Sequence, residues 1–233
     1  MSGSLDPRRF ADALRERIAA RRSFGGHPLW HRIAAGGVDR AALAPFAVQF
    51  FLQVREFPRA VSALHTACPY PEERRMLAES LYEEETGLIS GCGLPHPELF
   101  ILFGEGIGLR RDALIEGVPL PATAALVDWF RESTRERSFL EGAAAINLAA
   151  EGQVPGAFGP FARALEKHYG LSGEAVSFWD VHEMADREHS DVGDHIVVHF
   201  ADTEELQRQV ESAVQTSLDR WWAFFDGIEA AIG

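Results

Sequence analysis

Cysteine, lysine and long apolar runs are all scarce in this chain. Two of its 233 residues are cysteine, Cys68 and Cys92, too few for a disulfide framework and without an evident base or resolving partner nearby. No run approaches the roughly 18–20 apolar residues of a membrane helix. The opening MSGSLDPRRF carries no apolar stretch of the kind found in a secretory signal. A cytoplasmic location is therefore expected. Lys167 is the sole lysine, a bias that reflects codon usage more than function. With 22 basic against 35 acidic residues and a net charge of −13, the chain lacks the basic face that nucleic-acid binding requires. Also missing are a nucleophile elbow, a phosphate-binding loop, a dinucleotide fingerprint and a C-x-x-C pair.

What remains is an ordinary globular balance, 46% hydrophobic and 24% charged, with helical periodicity almost throughout and no stretch of strand-like alternation. Asp6-Pro7 opens a first helix, which stops at Gly25-Gly26. A short one follows at about 28–35. Asp39 is expected to cap a long segment reaching residue 67, bent where Pro58 removes a backbone hydrogen bond. Further helices are expected at about 71–89, 96–107, 122–137, 139–152, 155–169, 173–200 and 203–232. No repeat, low-complexity tract or linker divides residues 1–233, so one all-α domain is expected.

Chemistry concentrates in His182-Glu-Met-Ala-Asp186-Arg-Glu-His189. The spacing i, i+4, i+7 places His182, Asp186 and His189 within roughly 60° on one helix face. Two imidazoles and a carboxylate on one stripe suit iron, manganese or zinc. Phe178 and Ile196 continue the stripe, and such a polar patch is costly to bury unless coordinated or paired. The alternative is a solvated face, since Glu183, Arg187 and Glu188 adjoin it. Glu151 closes an almost wholly apolar helix, at the end where the helix dipole disfavours a carboxylate, and is either a buried ligand or part of a fraying end. In Glu83-Glu84-Glu85, followed by His96, at most one or two glutamates can face inward. His27 with His31, and His195 with His199, read as structural pairs.

Taken together, Glu84, His96, Glu151 and His182-x3-Asp186-x2-His189 resemble the heme-oxygenase-like di-iron oxidases, within the superfamily of thiaminase II and the pyrroloquinoline-quinone synthesis protein C. The segments HPLWHRIAAGG, FFLQVREFPRAVSALH, YEEETG, HPELFILFGEGIGL, AAEGQVPGAF and WDVHEMADREH carry the resemblance over residues 25–200 or so. It implies a bundle of about seven main helices, commonly dimeric, enclosing two Fe(II). The first iron would take Glu84, His96 and a bridging Glu151; the second would take His182, Asp186 and His189. The implied activity is O2-dependent oxidation or oxygenation of a small metabolite through a peroxo-di-iron species, with an external reductant as a further partner. Two features depart from the family pattern. The interval between Glu84 and His96 is longer than usual, around residues 88–94, which leaves Glu84 and Glu85 both open as ligands. Phe50 and Phe51 stand where the long third helix usually carries tyrosines, which disfavours the branch that makes p-aminobenzoate from its own tyrosine. No cysteine lies near Glu151, which removes the thiaminase nucleophile. A metal-free enzyme of the same fold, with His182, Asp186 and His189 as acid–base groups, is the alternative. Candidate substrate contacts are Gln49, Phe51 and Arg55, with Arg55 either meeting a substrate carboxylate or lying at the surface beside Glu56 or Glu98.

Overall fold

Asp6 starts the first helix as its sequence suggests: its side chain accepts from the backbone N–H groups of Arg8 and Arg9 at 3.1 and 3.2 Å. The computed structural model describes residues 4–233, apart from the side chains at 184–191. Among the described residues every regular element is helical, in the order α1 (Pro7–Arg21), α2 (Pro28–Ala34), α3 (Leu43–Val54), α4 (Phe57–Ala67), α5 (Pro71–Thr86), α6 (His96–Gly106), α7 (Arg111–Ile115), α8 (Pro121–Arg135), α9 (Phe139–Ala143), α10 (Phe158–Tyr169), α11 (Ser177–Phe200) and α12 (Glu204–Ile232). Twelve α-helices stand against the seven or so main helices that the resemblance implied: the segment to residue 67 divides in two, and α7 forms in a stretch not read as helical.

The segment ending at residue 67 shows why. Pro58 has no N–H to donate to the carbonyl of Val54, so α3 ends there. The chain restarts as α4 with the proline in its first turn, where a missing donor costs nothing. Asp39 makes no side-chain cap; it precedes a 3-10 turn at Arg40–Ala42. The helix expected at 139–152 is α9 followed by a π-helical stretch, Ala144–Ala150, and a 3-10 turn, Glu151–Gln153. His27 caps α2 by accepting from Leu29 N–H, and its other ring nitrogen meets Asp226 of α12, in keeping with a structural role.

One hydrophobic cluster extends from Phe10 to Ile228. At its centre the fully buried Trp179 meets the rings of Trp30, Phe46, Phe50, Phe100, Phe103, Phe158 and Phe161 at centroid distances of 4.9–6.2 Å. Edge-to-face and stacked pairs of this kind add about 0.5–1.5 kcal/mol each beyond area burial. Around this cluster α11 and α12 both pack along the π-helical stretch.

Gly193 sets the closeness of α11 to that stretch. A Cβ there would sit 2.5 Å from the backbone nitrogen of Leu148 and 2.7 Å from the carbonyl carbon of Asn147. Neither backbone atom can turn aside, so α11 itself would have to move. Gly193→Ala is therefore expected to destabilise the protein by about 1–3 kcal/mol, the usual cost of overpacking, against the small gain that the substitution brings to an unobstructed helix. Urea unfolding of the two proteins measures this; an unchanged midpoint would mean that the approach is not tight.

Candidate metal centre

The end of α5, the start of α6 and the middle of α11 meet at one place. On α5 both Glu83 and Glu84 turn inward, at 1% and 4% exposure, while Glu85 faces solvent. His96, the first residue of α6, is equally buried. His182 of α11 lies against it with ring centroids 4.4 Å apart. Each of Glu84, His96 and His182 offers a ligand atom, and these atoms all lie within 4.8 Å of one another. Among the described residues the structure thus brings His182 together with Glu84 and His96. Glu151 faces the same cavity as Glu84 and His182. Asp186 and His189 lie outside the described residues.

The neighbours of these groups select which atoms are presented. Nδ1 of His182 donates to the carbonyl of Phe178 at 2.7 Å, which leaves Nε2 as the electron-pair donor. For His96 the roles are reversed. Its Nε2 meets Glu83 Oε1 at 3.3 Å, while Nδ1 lies 3.0 Å from Glu84 Oε1 and yet forms no hydrogen bond. A ligand atom of His182 lies within 4.8 Å of both, and imidazole nitrogen with carboxylate oxygen is a donor set that suits iron. The residues present fit a metal.

Glu83 is the residue that spacing alone did not single out. Besides His96, its other oxygen accepts from the backbone N–H groups of Ile89 and Ser90 at 2.8 and 3.1 Å. The interval that appeared long in the sequence is thus a loop closed onto Glu83. Gly87 permits it, with a φ of 60° at the end of α5. Burial pushes the Glu83 carboxyl up, but hydrogen bonds from Ser90, His96 and Ile89 outweigh this and hold it below the usual carboxylate range. Burial likewise disfavours charge on His96. The carboxylates of Glu84 and Glu83 prevail, and the imidazole is pushed up to about 9.

Glu151 follows from the π-helical stretch. Asn147, four residues earlier and fully buried, donates from Nδ2 to Glu151 Oε2 at 3.2 Å. Single π turns inside α-helices recur at functional sites because they re-aim side chains. The cavity itself is small, about 60 Å³. Its described lining is aromatic and aliphatic except for Glu84, Glu151, His182 and Gln53.

The three candidate substrate contacts lie elsewhere. Gln49 is tied to the chain before α8, donating to Val118 O and accepting from Leu120 N–H. Arg55 donates to Ile115 O and pairs with Glu56, as its surface reading anticipated. Its guanidinium lies 6.0 Å over the Phe51 ring, and neither residue lines the cavity. On α3 and α4 the cavity stripe is Phe50, Gln53, Val54 and Phe57, the i, i+3, i+4, i+7 pattern. A lone glutamine within such a stripe was the available signal for Gln53.

Two outcomes are expected. Metal binding must displace the proton that His96 carries below about pH 9, so affinity rises with pH, by up to about tenfold per unit for each proton released. Zn(II) titrations of the metal-free protein at pH 6.5 and 7.5, with proton release read from buffers of different ionisation enthalpy, measure this; pH-independent binding would contradict it. Glu83→Gln weakens the orientation of His96 and the hold on residues 89 and 90, and should lower metal affinity about 10–100-fold while the fold, read by circular dichroism, persists.

Similarity to known proteins agrees with this geometry. The chain is 32% identical over 212 residues to a 4-aminobenzoate synthase of Nitrosomonas europaea, covering 87% of this chain and 84% of that protein. It is 25% identical over 230 residues to a pyrroloquinoline-quinone synthase of Gluconobacter oxydans, covering 97% and 93%. A Shewanella denitrificans domain described as having a heme-oxygenase-like fold superposes with a TM-score of 0.77 at 16% identity, covering 97% of this chain and 93% of that one. Residues 44–222 match the family described as iron-containing redox enzymes. With that match spanning most of its length and a buried histidine–carboxylate cluster inside a heme-oxygenase-like bundle, the chain belongs to the iron-containing redox enzyme family.

Proposed function

We propose that this oxidoreductase holds two irons per chain and uses O2 to oxidise or oxygenate a small metabolite in the cavity between α3, α5 and α11. The observation that supports it best is His96 Nδ1, buried beside Glu84 without a hydrogen bond and grouped with Glu84 and His182 at ligand distances. In this reading Glu84, His96 and His182 take one iron. Asp186 and His189, one and two turns further along α11, take the second, and Glu151 is shared between them. Three carboxylates then offset most of the charge of two ferrous ions. When bound, iron supplies the one-electron and O2 chemistry that no side chain of the cavity provides.

The protein's own contribution is positional. Phe178 O and Glu83 fix the two imidazole rings, and Asn147 holds Glu151. The aromatic walls Phe24, Phe50, Phe158 and Phe178 exclude water from the reacting side. The substrate comes from outside the chain. The three tyrosines are Tyr70, Tyr82 and Tyr169. None lines the cavity among the described residues, and Tyr169 donates its hydroxyl to Ile33 O. The product named for the Nitrosomonas relative is therefore not carried over. A homodimer and an external reductant belong to the same proposal.

Anaerobic Fe(II) loading, counted by Mössbauer spectroscopy and followed by mixing with O2 under stopped flow, tests it. About two irons per chain, as the six-residue ligand set requires, and consumption of O2 are expected, with uptake abolished in His182→Ala. Failure to bind iron at all would return the chain to a metal-free enzyme of the same fold, with His182 as an acid–base group.

A further inference from the structure

Gln53 stands apart from the other buried glutamines. The Gln49 carboxamide is bonded at both ends. Gln153 accepts from Ser23 N–H and Ser23 Oγ and donates to Ala149 O. Gln207 accepts from Leu5 N–H and donates to Leu5 O and Ala201 O. Gln53 is 4% exposed, lines the cavity, and has no hydrogen bond among the described residues. Its amide, with two donors and one carbonyl acceptor, opens onto the cavity. Such a group is retained in a core where something other than the protein satisfies it.

The rest of the wall says what that partner is. Six aromatic residues line the cavity, Phe24, Phe50, Phe57, Phe158, Phe178 and Trp221, and no lysine or arginine does so among the described residues. Arg55 is committed to Ile115 O and Glu56 outside it. Away from the Glu84, Glu151 and His182 cluster, no described wall group carries a charge that could pair with a charged substituent at the Gln53 end of the cavity. A charged substrate would then be desolvated without a partner, which such a cavity resists strongly, whereas a flat apolar body meets ring faces and edges on several sides.

We infer that Gln53 orients the substrate, and that the substrate is an uncharged aromatic compound with one hydrogen-bonding substituent such as an amide or hydroxyl. The inference rests on the proposed function in taking this cavity as the active site, but its test does not require turnover. Gln53 supplies direction: the ring fills the aromatic pocket, the substituent meets the carboxamide, and the opposite edge is turned toward Glu84, Glu151 and His182. Selectivity is built in the same way, because a site made to hydrogen-bond a polar group discriminates against the analogue that lacks it.

Isothermal calorimetry on the Zn(II)-loaded protein, with benzamide, phenol, benzoate, benzylamine and toluene as probes, decides the matter. Benzamide or phenol should bind, with benzoate and benzylamine at least about tenfold weaker, a difference that one desolvated charge exceeds. Gln53→Leu should weaken benzamide about tenfold, the size of one neutral hydrogen bond, and leave toluene unchanged. Its thermal stability should hold or rise, since an unpaired amide has been removed; a glutamine with a merely structural role would instead leave the variant less stable. Preference for benzoate, no binding by any probe, or equal benzamide affinity in Gln53→Leu overturns the inference. The iron count of the same variant, expected to equal that of the unaltered protein, keeps this outcome separate from failure of the metal assignment.

Discussion

Two glutamates and two histidines are enclosed here at one point of an aromatic core, and the arrangement of the surrounding helices follows from the need to satisfy them. An isolated carboxylate or imidazolium in such a place is expensive. The cluster is tolerable because its members face one another and each outer atom has a defined partner: Phe178 O for His182, Glu83 for His96, and the N–H groups of residues 89 and 90 for Glu83. Glu84, His96 and His182 bring one ligand atom each within 4.8 Å of the others. The same electrostatic demand that raises the proton affinity of His96 is what a cation satisfies instead.

Packing then serves this centre. Gly193 lets α11 lie directly on the backbone of the π-helical stretch, which brings the helix bearing His182 alongside the one bearing Glu151. Trp179, one position beyond Phe178 and three before His182, anchors that part of α11 among seven other aromatic rings. A packed core on one side and the histidine–carboxylate cluster on the other share a single helix, so the candidate ligands are carried by closely packed elements.

Much of this was legible in the sequence. Helical periodicity and the absence of alternating segments gave the all-α class, and the resemblance carried by Glu84, His96, Glu151 and His182 implied a shared centre. Other features depended on tertiary context. The break between α3 and α4 came from Pro58, which the sequence reading placed inside a single bent helix. The π-helical stretch has no composition signal, since Ala-Ala-Ile-Asn-Leu-Ala-Ala is equally suited to an ordinary α-helix. Glu83 could not be told from its neighbours until the loop after Gly87 was seen to close on it. Gln49 and Arg55 were attractive by residue type but sit on faces of α3 occupied by the segments around α7 and α8, whereas Gln53 lies in the stripe shared by Phe50 and Phe57.

The π-helical stretch has a consequence for how such a centre is gained or lost. A π turn accommodates one residue more than the α-helix around it. Removing a single residue between 144 and 150 would let the segment rewind as regular α-helix with the turns on either side still in register, so the loss would be confined to the bulge. What the extra residue provides is local: the aim of Asn147 toward Glu151 from inside the widened turn, in a part of the chain where composition would barely register the change.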